Sequence, residues 1–242
     1  MQVAIVSDIH GNRQAFEAVL AEIDAAGVDE TWCLGDLVGY GAEPDACVEL
    51  AVGHCELLLA GNHDLAVTGE LSTEEFSPSA AAAALWTQGV IAERNLKTLK
   101  TLPPQDLDRE VGLFHASPRD PIWEYVLSTL QAELCLDAQR HRVCLVGHSH
   151  VALAFSRRGE GVAGAACPDG SRADVGQGEW ILNPGSVGQP RDGDPRAAWL
   201  LLDLGAWTVS WRRVDYDVEA AQQAIREAGL PEALADRLEY GQ

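Results

Sequence analysis

Short apolar runs, each followed within two residues by Asp, Asn or His, are the main pattern in the first two thirds of the chain. These runs have the length of β-strands and occupy residues 3–6, 31–34, 57–60, 111–114 and 143–146. Because the carboxyl ends of neighbouring parallel strands meet at one edge of a sheet, we expect the polar residues that follow them to converge there.

Helices are predicted between the early strands. Asn12 can cap a helix whose apolar stripe is Phe16, Val19, Leu20 and Ile23 and which ends near Gly27. Further helices are expected from about Pro44 and within residues 79–99. Alternation of strand, turn and helix predicts a largely parallel, doubly covered sheet on the N-terminal side.

The pattern changes after residue 142. Strand-like segments at residues 142–147, 151–157, 179–182, 197–204 and 208–216 alternate with turn signals and predict a second, more antiparallel sheet. Residues 157–178, rich in Gly, Ala and Asp, are predicted to form a long hairpin loop or surface excursion, and residues 218–238 two short helices broken at Pro231.

The predicted fold class is therefore α/β, or α+β by some schemes. We expect a four-layer α/β/β/α sandwich of two mixed sheets flanked by helices, with the candidate site at the carboxyl ends of strands. The candidate ligands extend from Asp8 to His150 without an intervening linker, so a single domain over residues 1–242 is expected.

Charge restricts the partners that the chain can bind. The 242 residues include 37 acidic and 17 basic side chains, a formal net charge of −20. Such a surface repels polyanions, which argues against duplex DNA or long RNA as partners. A small phosphorylated metabolite or nucleotide is compatible, because bound divalent cations dominate the local field.

Cysteine usage and hydropathy indicate the compartment. None of the six cysteines forms a CxxC pair, and most lie in apolar runs, which favours buried free thiols over disulfides or zinc ligation. The chain opens on a strand-like run rather than a leader pattern, and no apolar segment reaches the ~20 residues that span a bilayer. We expect a cytoplasmic protein without a membrane partner. Oligomeric state is left open.

Six sequence motifs carry the candidate chemistry, and most are weak individually. If strand geometry continues past residue 6, Asp8 and His10 point the same way and can share a cation, although a surface turn explains them equally. Asp36 fits a structural turn, and His115 fits a core position. All the motifs nevertheless fall at the same end of their apolar runs: Asp8-x-His10, Gly35-Asp36, Gly61-Asn62-His63-Asp64, His115, Gly147-His148-Ser149-His150 and Asn183-Pro184-Gly185-Ser186.

The first five of these motifs, in this order, resemble the calcineurin-like metallophosphoesterase superfamily over about two thirds of the chain. Residues 183–191 and the turn Gly39-Tyr40-Gly41 further resemble its small bacterial and archaeal phosphodiesterase branch, which includes proteins similar to diadenosine tetraphosphatases. Ser/Thr protein phosphatases and symmetrical diadenosine tetraphosphatases carry Arg-Gly close after Gly-Asp. This chain has Leu37-Val38-Gly39 instead, which argues against those two activities.

The resemblance implies a dinuclear metal site. One ion would be held by Asp8, His10 and His150, the other by Asn62, His115 and His148, with Asp36 bridging them. The imidazole-rich shell favours Mn or Fe, with Zn, Co or Ni as alternatives. A hydroxide bridging the two ions would attack phosphorus. His63 would donate a proton to the leaving oxygen, with Asp64 orienting it.

For substrate binding we expect Asn12, Arg13 and Arg191, although each also fits a helix cap or a solvated loop charge. Tyr40 fits either stacking on a base or edge packing. The expected function is metal-dependent hydrolysis of phosphoester bonds in small phosphorylated or nucleotide substrates. Alternatives are a non-catalytic scaffold of the same fold for protein partners and a Ser/Thr protein phosphatase.

Overall fold

The computed structural model describes all 242 residues, which form twelve strands and eight helices. The strands are β1 (Gln2–Val6), β2 (Glu30–Cys33), β3 (Leu57–Leu58), β4 (Gln105–Asp106), β5 (Gly112–Phe114), β6 (Val143–Leu145), β7 (Ala152–Arg157), β8 (Ala163–Ala166), β9 (Arg172–Asp174), β10 (Glu179–Pro184), β11 (Ala197–Asp203) and β12 (Thr208–Val214). The helices are α1 (Arg13–Ala26), α2 (Pro44–His54), α3 (Asn62–Thr68), α4 (Pro78–Val90), α5 (Glu93–Leu99), α6 (Thr129–Ala138), α7 (Val218–Glu227) and α8 (Glu232–Tyr240).

The strands form two six-stranded mixed sheets. The first has the order β3-β2-β1-β11-β12-β9, in which β1 pairs parallel with β2 and antiparallel with β11. The second has the order β4-β5-β6-β10-β7-β8, with β5, β6 and β10 parallel to one another. The predicted α/β fold with two mixed sheets is confirmed.

Three apolar clusters hold the layers together. The cluster between the two sheets contains Ile5, Trp32 and Trp211. A second cluster, including Phe16 and Trp199, joins the first sheet to α1 and α2. A third, including Phe155 and Leu136, joins the second sheet to α6. Apolar surface is thus buried on both faces of each sheet, as the four-layer arrangement requires.

The assignment of strands to sheets differs from the sequence prediction. The predicted strands near residues 197–204 and 208–216 belong to the first sheet, and β5 belongs to the second. The cause is the burial of β1, whose residues Val3–Val6 are fully buried, so its second edge needs hydrogen-bonding partners. The apolar strand β11 supplies them, with Ile5 opposite Leu200.

Residues 157–178 were expected to form a loop or surface excursion, and this was wrong in part. They include β8, an edge strand of the second sheet, and β9, an edge strand of the first. Alanine and glycine fill β8, so the segment lacks the β-branched and aromatic residues that indicate strands.

Helix boundaries follow the local signals closely. Asn12 caps α1, and Gly27 ends it in a left-handed conformation. The predicted helical region at 79–99 is divided between α4 and α5, and Pro231 precedes α8 as expected. All six cysteines are free, and five are buried. None of the helices combines the length and apolar character needed to cross a bilayer.

Close approach of two backbones beside β1 requires Gly188. A Cβ atom at Gly188 would lie 1.8 Å from the carbonyl oxygen of Ile9. We expect Gly188→Ala to lower the free energy of unfolding by about 1–3 kcal/mol. Exposed Gly89 in α4 has no atom within 4 Å of a built Cβ, so Gly89→Ala should instead raise it by about 0.4–1 kcal/mol. Denaturant unfolding of both variants tests this, and equal effects would contradict it.

Candidate metal centre

Loops from both sheets bring two groups of buried ligands together at the carboxyl ends of the strands. Asp8, His10, Asp36 and His150 form one group, and Asp36, His115 and His148 form the other, with the ligand atoms of each group within 4.8 Å of one another. Asn62 adjoins the second group, because its Oδ1 lies 3.1 Å from Nε2 of His115. All seven residues that were predicted as metal ligands therefore converge, and none is more than 4% exposed.

Asp36 is common to both groups. Its Oδ1 accepts a hydrogen bond from the backbone N–H of His63 at 2.9 Å. Its Oδ2 is buried without a hydrogen-bond partner and lies 3.5 Å from Nε2 of both His10 and His115. This carboxylate is thus placed to bridge two cations.

Backbone carbonyls fix the orientation of three histidine rings. Nδ1 of His10 lies 3.1 Å from the carbonyl oxygen of Val38, Nδ1 of His115 lies 2.9 Å from that of Leu34, and Nδ1 of His150 lies 2.6 Å from that of Gln189. A carbonyl oxygen only accepts, so each Nδ1 carries the proton and each Nε2 presents a lone pair.

The resulting lone pairs face one another. Nε2 of His10 lies 3.0 Å from Nε2 of His150, although neither neutral ring has a proton there to donate. Nε2 of His148 is buried without a partner. Such an arrangement of acceptors is repulsive in isolation and becomes favourable around cations. The mixture of imidazole, carboxylate and amide oxygen fits first-row transition metals.

The ligand side chains are presented by strained backbone. Five of the seven non-glycine residues with positive φ are ligands: Asp8 (55°), His10 (52°), Asp36 (56°), His148 (63°) and His150 (60°). Strand geometry does not carry Asp8 and His10 to one face, because β1 ends at Val6 and both residues lie beyond it with positive φ. Their side chains nevertheless belong to the same group of candidate ligands.

Hydrogen bonds between the two sheets, and one within the second sheet, stabilise the loops that carry these residues. The carboxylate of Asp8 accepts from the backbone N–H of His148 at 3.1 Å. Ser186 Oγ donates to the carbonyl of Asp8 at 2.8 Å, and Asn183 Nδ2 donates to the carbonyl of Gly147 at 2.7 Å. Sequence reasoning identified the Asn183–Ser186 motif by resemblance but not this supporting role, because the partners come from distant loops.

Asp64 was expected to orient the His63 ring, but its carboxylate binds backbone N–H groups instead. Its carboxylate accepts from the backbone N–H of Asp36 at 2.8 Å, Leu37 at 3.0 Å and Gly61 at 2.9 Å. It therefore orients the loop that carries the bridging carboxylate rather than the imidazole. His63 itself is buried, its Nδ1 has no hydrogen-bond partner, and its ring centroid lies 4.9 Å from that of His10.

The three residues expected to bind substrate differ in their surroundings. Asn12 accepts from Ala15 N–H at the start of α1 and donates to the carbonyl of Gly188. Arg13 forms ion pairs with Glu43 and Glu17. Arg191 lies two residues after Gln189, whose carbonyl oxygen contacts Nδ1 of His150. The Arg191 guanidinium donates to Gln189 Oε1 at 2.8 Å and lies 5.5 Å from the Tyr40 ring centroid. Only Arg191 lies beside the ligand groups without a carboxylate partner.

Burial controls the protonation of the ligands. It raises the pKa of Asp8 to about 7, an effect that His115 opposes and Asp36 reinforces. Burial also holds the pKa values of His10, His148 and His150 well below the ordinary histidine value, and Arg191 lowers them further. In the metal-free protein the imidazoles of His10, His148 and His150 are thus neutral near pH 7, whereas Asp8 is partly protonated.

Comparison with known proteins identifies relatives over the full length. A sequence model of the calcineurin-like phosphoesterase superfamily domain matches residues 1–205. An uncharacterised protein of Methanocaldococcus jannaschii is 37% identical over 99% of this chain and 98% of its own.

Two solved structures share the fold. A metallophosphoesterase from Sphaerobacter thermophilus is 42% identical, with a TM-score of 0.91 over 100% of this chain and 99% of its own. A hypothetical protein from Pyrococcus horikoshii has a TM-score of 0.83 over 100% and 98% at 19% identity, which shows the fold alone.

Metal binding should release protons. Because the folded pKa of Asp8 is about 7, a cation must displace its proton at lower pH, whereas His10, His148 and His150, whose pKa values burial holds low, have none to lose. We expect Mn²⁺ affinity to rise with pH between about 5.5 and 7, by up to about tenfold per unit for each proton displaced. Calorimetry in two buffers of different ionisation enthalpy measures the protons released. Affinity independent of pH, without proton release, would contradict the assignment.

Proposed function

The chain belongs to the calcineurin-like phosphoesterase superfamily and is a metal-dependent phosphoesterase, and from this premise we propose that it hydrolyses small phosphorylated or nucleotide substrates. The proposed substrates are phosphodiesters and phosphomonoesters. The proposed cofactors are two transition-metal ions, with Mn or Fe preferred and Zn, Co or Ni as alternatives. The observation that carries it is the pair of ligand groups that share the buried carboxylate of Asp36.

The proposed ligand assignment follows the two groups. Asp8, His10 and His150 would hold one ion, Asn62, His115 and His148 would hold the other, and Asp36 would be shared between them. When bound, such ions supply Lewis acidity toward phosphoryl oxygens and a water of lowered pKa. The protein contributes rigid ligand orientation, because the histidine Nδ1 atoms are held by backbone carbonyls.

We assign His63 as the proton donor to the leaving oxygen. It is the one buried histidine beside the ligand groups that belongs to neither of them. Its Nδ1 has no protein partner, and its ring stands 4.9 Å from the ring of His10. Burial and the charge of Arg191 hold its pKa well below the ordinary value, and the negative charge of a bound phosphoryl group opposes both effects. In the substrate complex the protonated His63 imidazolium would give its proton to the departing oxygen as that P–O bond breaks and the oxygen of water bonds to phosphorus.

Arg191 is proposed to bind non-bridging phosphoryl oxygens. It is the arginine beside the centre that has no carboxylate partner, and it is held by the side chain of Gln189. A planar guanidinium suits bidentate capture of a phosphoryl group.

The acidic surface, with a net charge of −20, supports small substrates over duplex nucleic acid. Six free cysteines are compatible with a cytoplasmic location.

Replacement of His63 tests the catalytic assignment. We expect His63→Asn to retain bound metal and to lower kcat about 10²–10⁴-fold for bis-p-nitrophenyl phosphate with Mn²⁺. The matched control is His54→Asn, since His54 is an exposed histidine at the end of α2. This variant should leave metal content and kcat unchanged. Parallel loss of metal and activity in His63→Asn would make His63 a ligand. Absence of turnover by the wild-type protein with Mn, Fe, Zn, Co or Ni would contradict the proposed function.

A matched pair of arginine variants tests substrate binding. Arg191→Ala should lower kcat/KM about tenfold or more, because a charge-assisted contact to the phosphoryl group is lost. Arg13→Ala should change kcat/KM less than about twofold, since Glu43 and Glu17 already engage that side chain. Steady-state kinetics with p-nitrophenyl phosphate and its diester measures both. Equal losses in the two variants would contradict the distinction between them.

A further inference from the structure

Segments that follow three of the candidate-site motifs bring aromatic side chains back to the metal centre, one of them after the intervening helix α3. Tyr40 follows Asp36, Phe76 follows His63, and Trp123 and Tyr125 follow His115. Ring centroids are 4.8 Å apart for His63 and Phe76, 5.4 Å for Phe76 and Trp123, and 4.2 Å for Tyr125 and His148. Phe76, Trp123 and Tyr125, here called the aromatic wall, therefore line one side of the centre.

Tyr125 has the most accessible ring of the wall. It stacks on the ligand His148 with an interplanar angle of 11°, and 42% of the residue is exposed. One ring face thus covers a metal ligand while much of the side chain remains open to solvent. One face of the Tyr125 ring packs on His148, and a flat ligand bound at the centre would cover the exposed part of the side chain.

Tyr40 differs from the wall. Its ring centroid lies 4.6 Å from that of His10 and 4.3 Å from that of His63, and the Arg191 guanidinium lies over it. Neighbours surround this ring, and burial raises its pKa above the ordinary tyrosine value. Tyr40 therefore corresponds to the edge-packing alternative, and the surface available for stacking lies across the centre, at Trp123 and Tyr125.

The loop that carries Trp123 and Tyr125 is held by polar contacts. Ser117 Oγ donates to Glu124 Oε2 at 2.6 Å and accepts from the backbone N–H of Asp120. Asp120 Oδ1 accepts from the N–H groups of Ile122 and Trp123 at 3.0 and 3.1 Å. Since these bonds order the loop without a ligand, little conformational entropy is lost when a ring stacks there.

Charge and apolar surface are separated around the centre. Arg191 lies on the Tyr40 side without a carboxylate partner, with its guanidinium over the Tyr40 ring, and its charge lowers the pKa values of Asp8, His150 and His148. The wall on the His148 side consists of uncharged rings. A ligand with a phosphoryl group at one end and a flat ring at the other matches this separation.

We propose that the aromatic wall is a base-stacking subsite, so that the substrates are nucleotides whose base lies on Trp123 and Tyr125 while the phosphoryl group lies between the metal ligands and Arg191. This inference rests on the proposed function and specifies its substrate class. Stacking of a base on aromatic side chains is sequence-tolerant, so the subsite selects a nucleotide rather than one particular base.

Direct binding measurements test the subsite independently of turnover. Calorimetry with Mn-loaded protein compares the phosphonate analogues of AMP and of ribose 5-phosphate, whose P–C bond cannot be hydrolysed. They share the sugar and the phosphoryl group and differ only in the base. We expect the AMP analogue to bind about tenfold more tightly or better. Equal affinities would overturn the proposal.

Variants distinguish stacking from simple packing against the centre. Tyr125→Ala and Trp123→Ala should weaken binding of the AMP analogue about tenfold and leave the ribose analogue within about twofold, whereas Trp123→Phe should restore most of the loss. Trp207→Ala, in the β11–β12 turn, is the control and should change neither affinity. Equal weakening of both analogues by the wall variants, with metal content lowered, would mean that the rings only support the ligands and would overturn the subsite.

Two further outcomes separate this inference from the proposed function. If the protein hydrolyses bis-p-nitrophenyl phosphate but binds the two analogues equally well, the base-stacking subsite is contradicted and the hydrolytic function is retained. Tighter binding of the AMP analogue without turnover of any phosphoester would retain the subsite and remove the hydrolytic function. Benzylphosphonate, a flat ring without a sugar, should bind more weakly than the AMP analogue, and equal affinity would overturn the nucleotide assignment in favour of aryl esters.

Discussion

The shared carboxylate of Asp36 is the constraint on which the rest of the structure depends. One oxygen is held by the His63 N–H, while the other faces Nε2 of His10 and His115 at equal distances of 3.5 Å. Gly61 is required beside it, because a Cβ there would lie 2.0 Å from Asp36 Oδ1. The carboxylate of Asp64 then organises the backbone on both sides of this contact. Loops from two sheets thereby meet at a single atom.

This arrangement is costly without cations. Five ligands occupy left-handed backbone, buried carboxyls have raised pKa values, and lone pairs of His10 and His150 face each other at 3.0 Å. Bound metal ions would offset these costs by neutralising the carboxylates and coordinating the imidazoles, so their binding energy would also stabilise the fold. The same rigidity would serve the proposed catalysis, because the proposed ligands and the proposed proton donor are positioned before substrate arrives.

The sequence predicted where the strands end better than it predicted which strands pair with one another. Apolar runs followed by Asp, Asn or His marked the residues that converge at the candidate metal centre, because the carboxyl ends of parallel strands converge regardless of sheet order. Membership of β11 in the first sheet was missed, since pairing with β1 joins residues nearly 200 positions apart and leaves no local signal. The role of Asp64 was missed for a related reason, because its partners are backbone N–H groups of another loop. Arg13 and Asn12 similarly acquire their partners only in the folded chain.

The bridging role of Asp36 is tested most directly by anomalous diffraction from crystals of Mn-loaded protein, collected above and below the manganese edge. The account predicts two anomalous peaks about 3.5–4 Å apart, with Asp36 ligating both ions and His10 and His115 on opposite sides. A single peak, or two peaks of which Asp36 contacts only one, would contradict it.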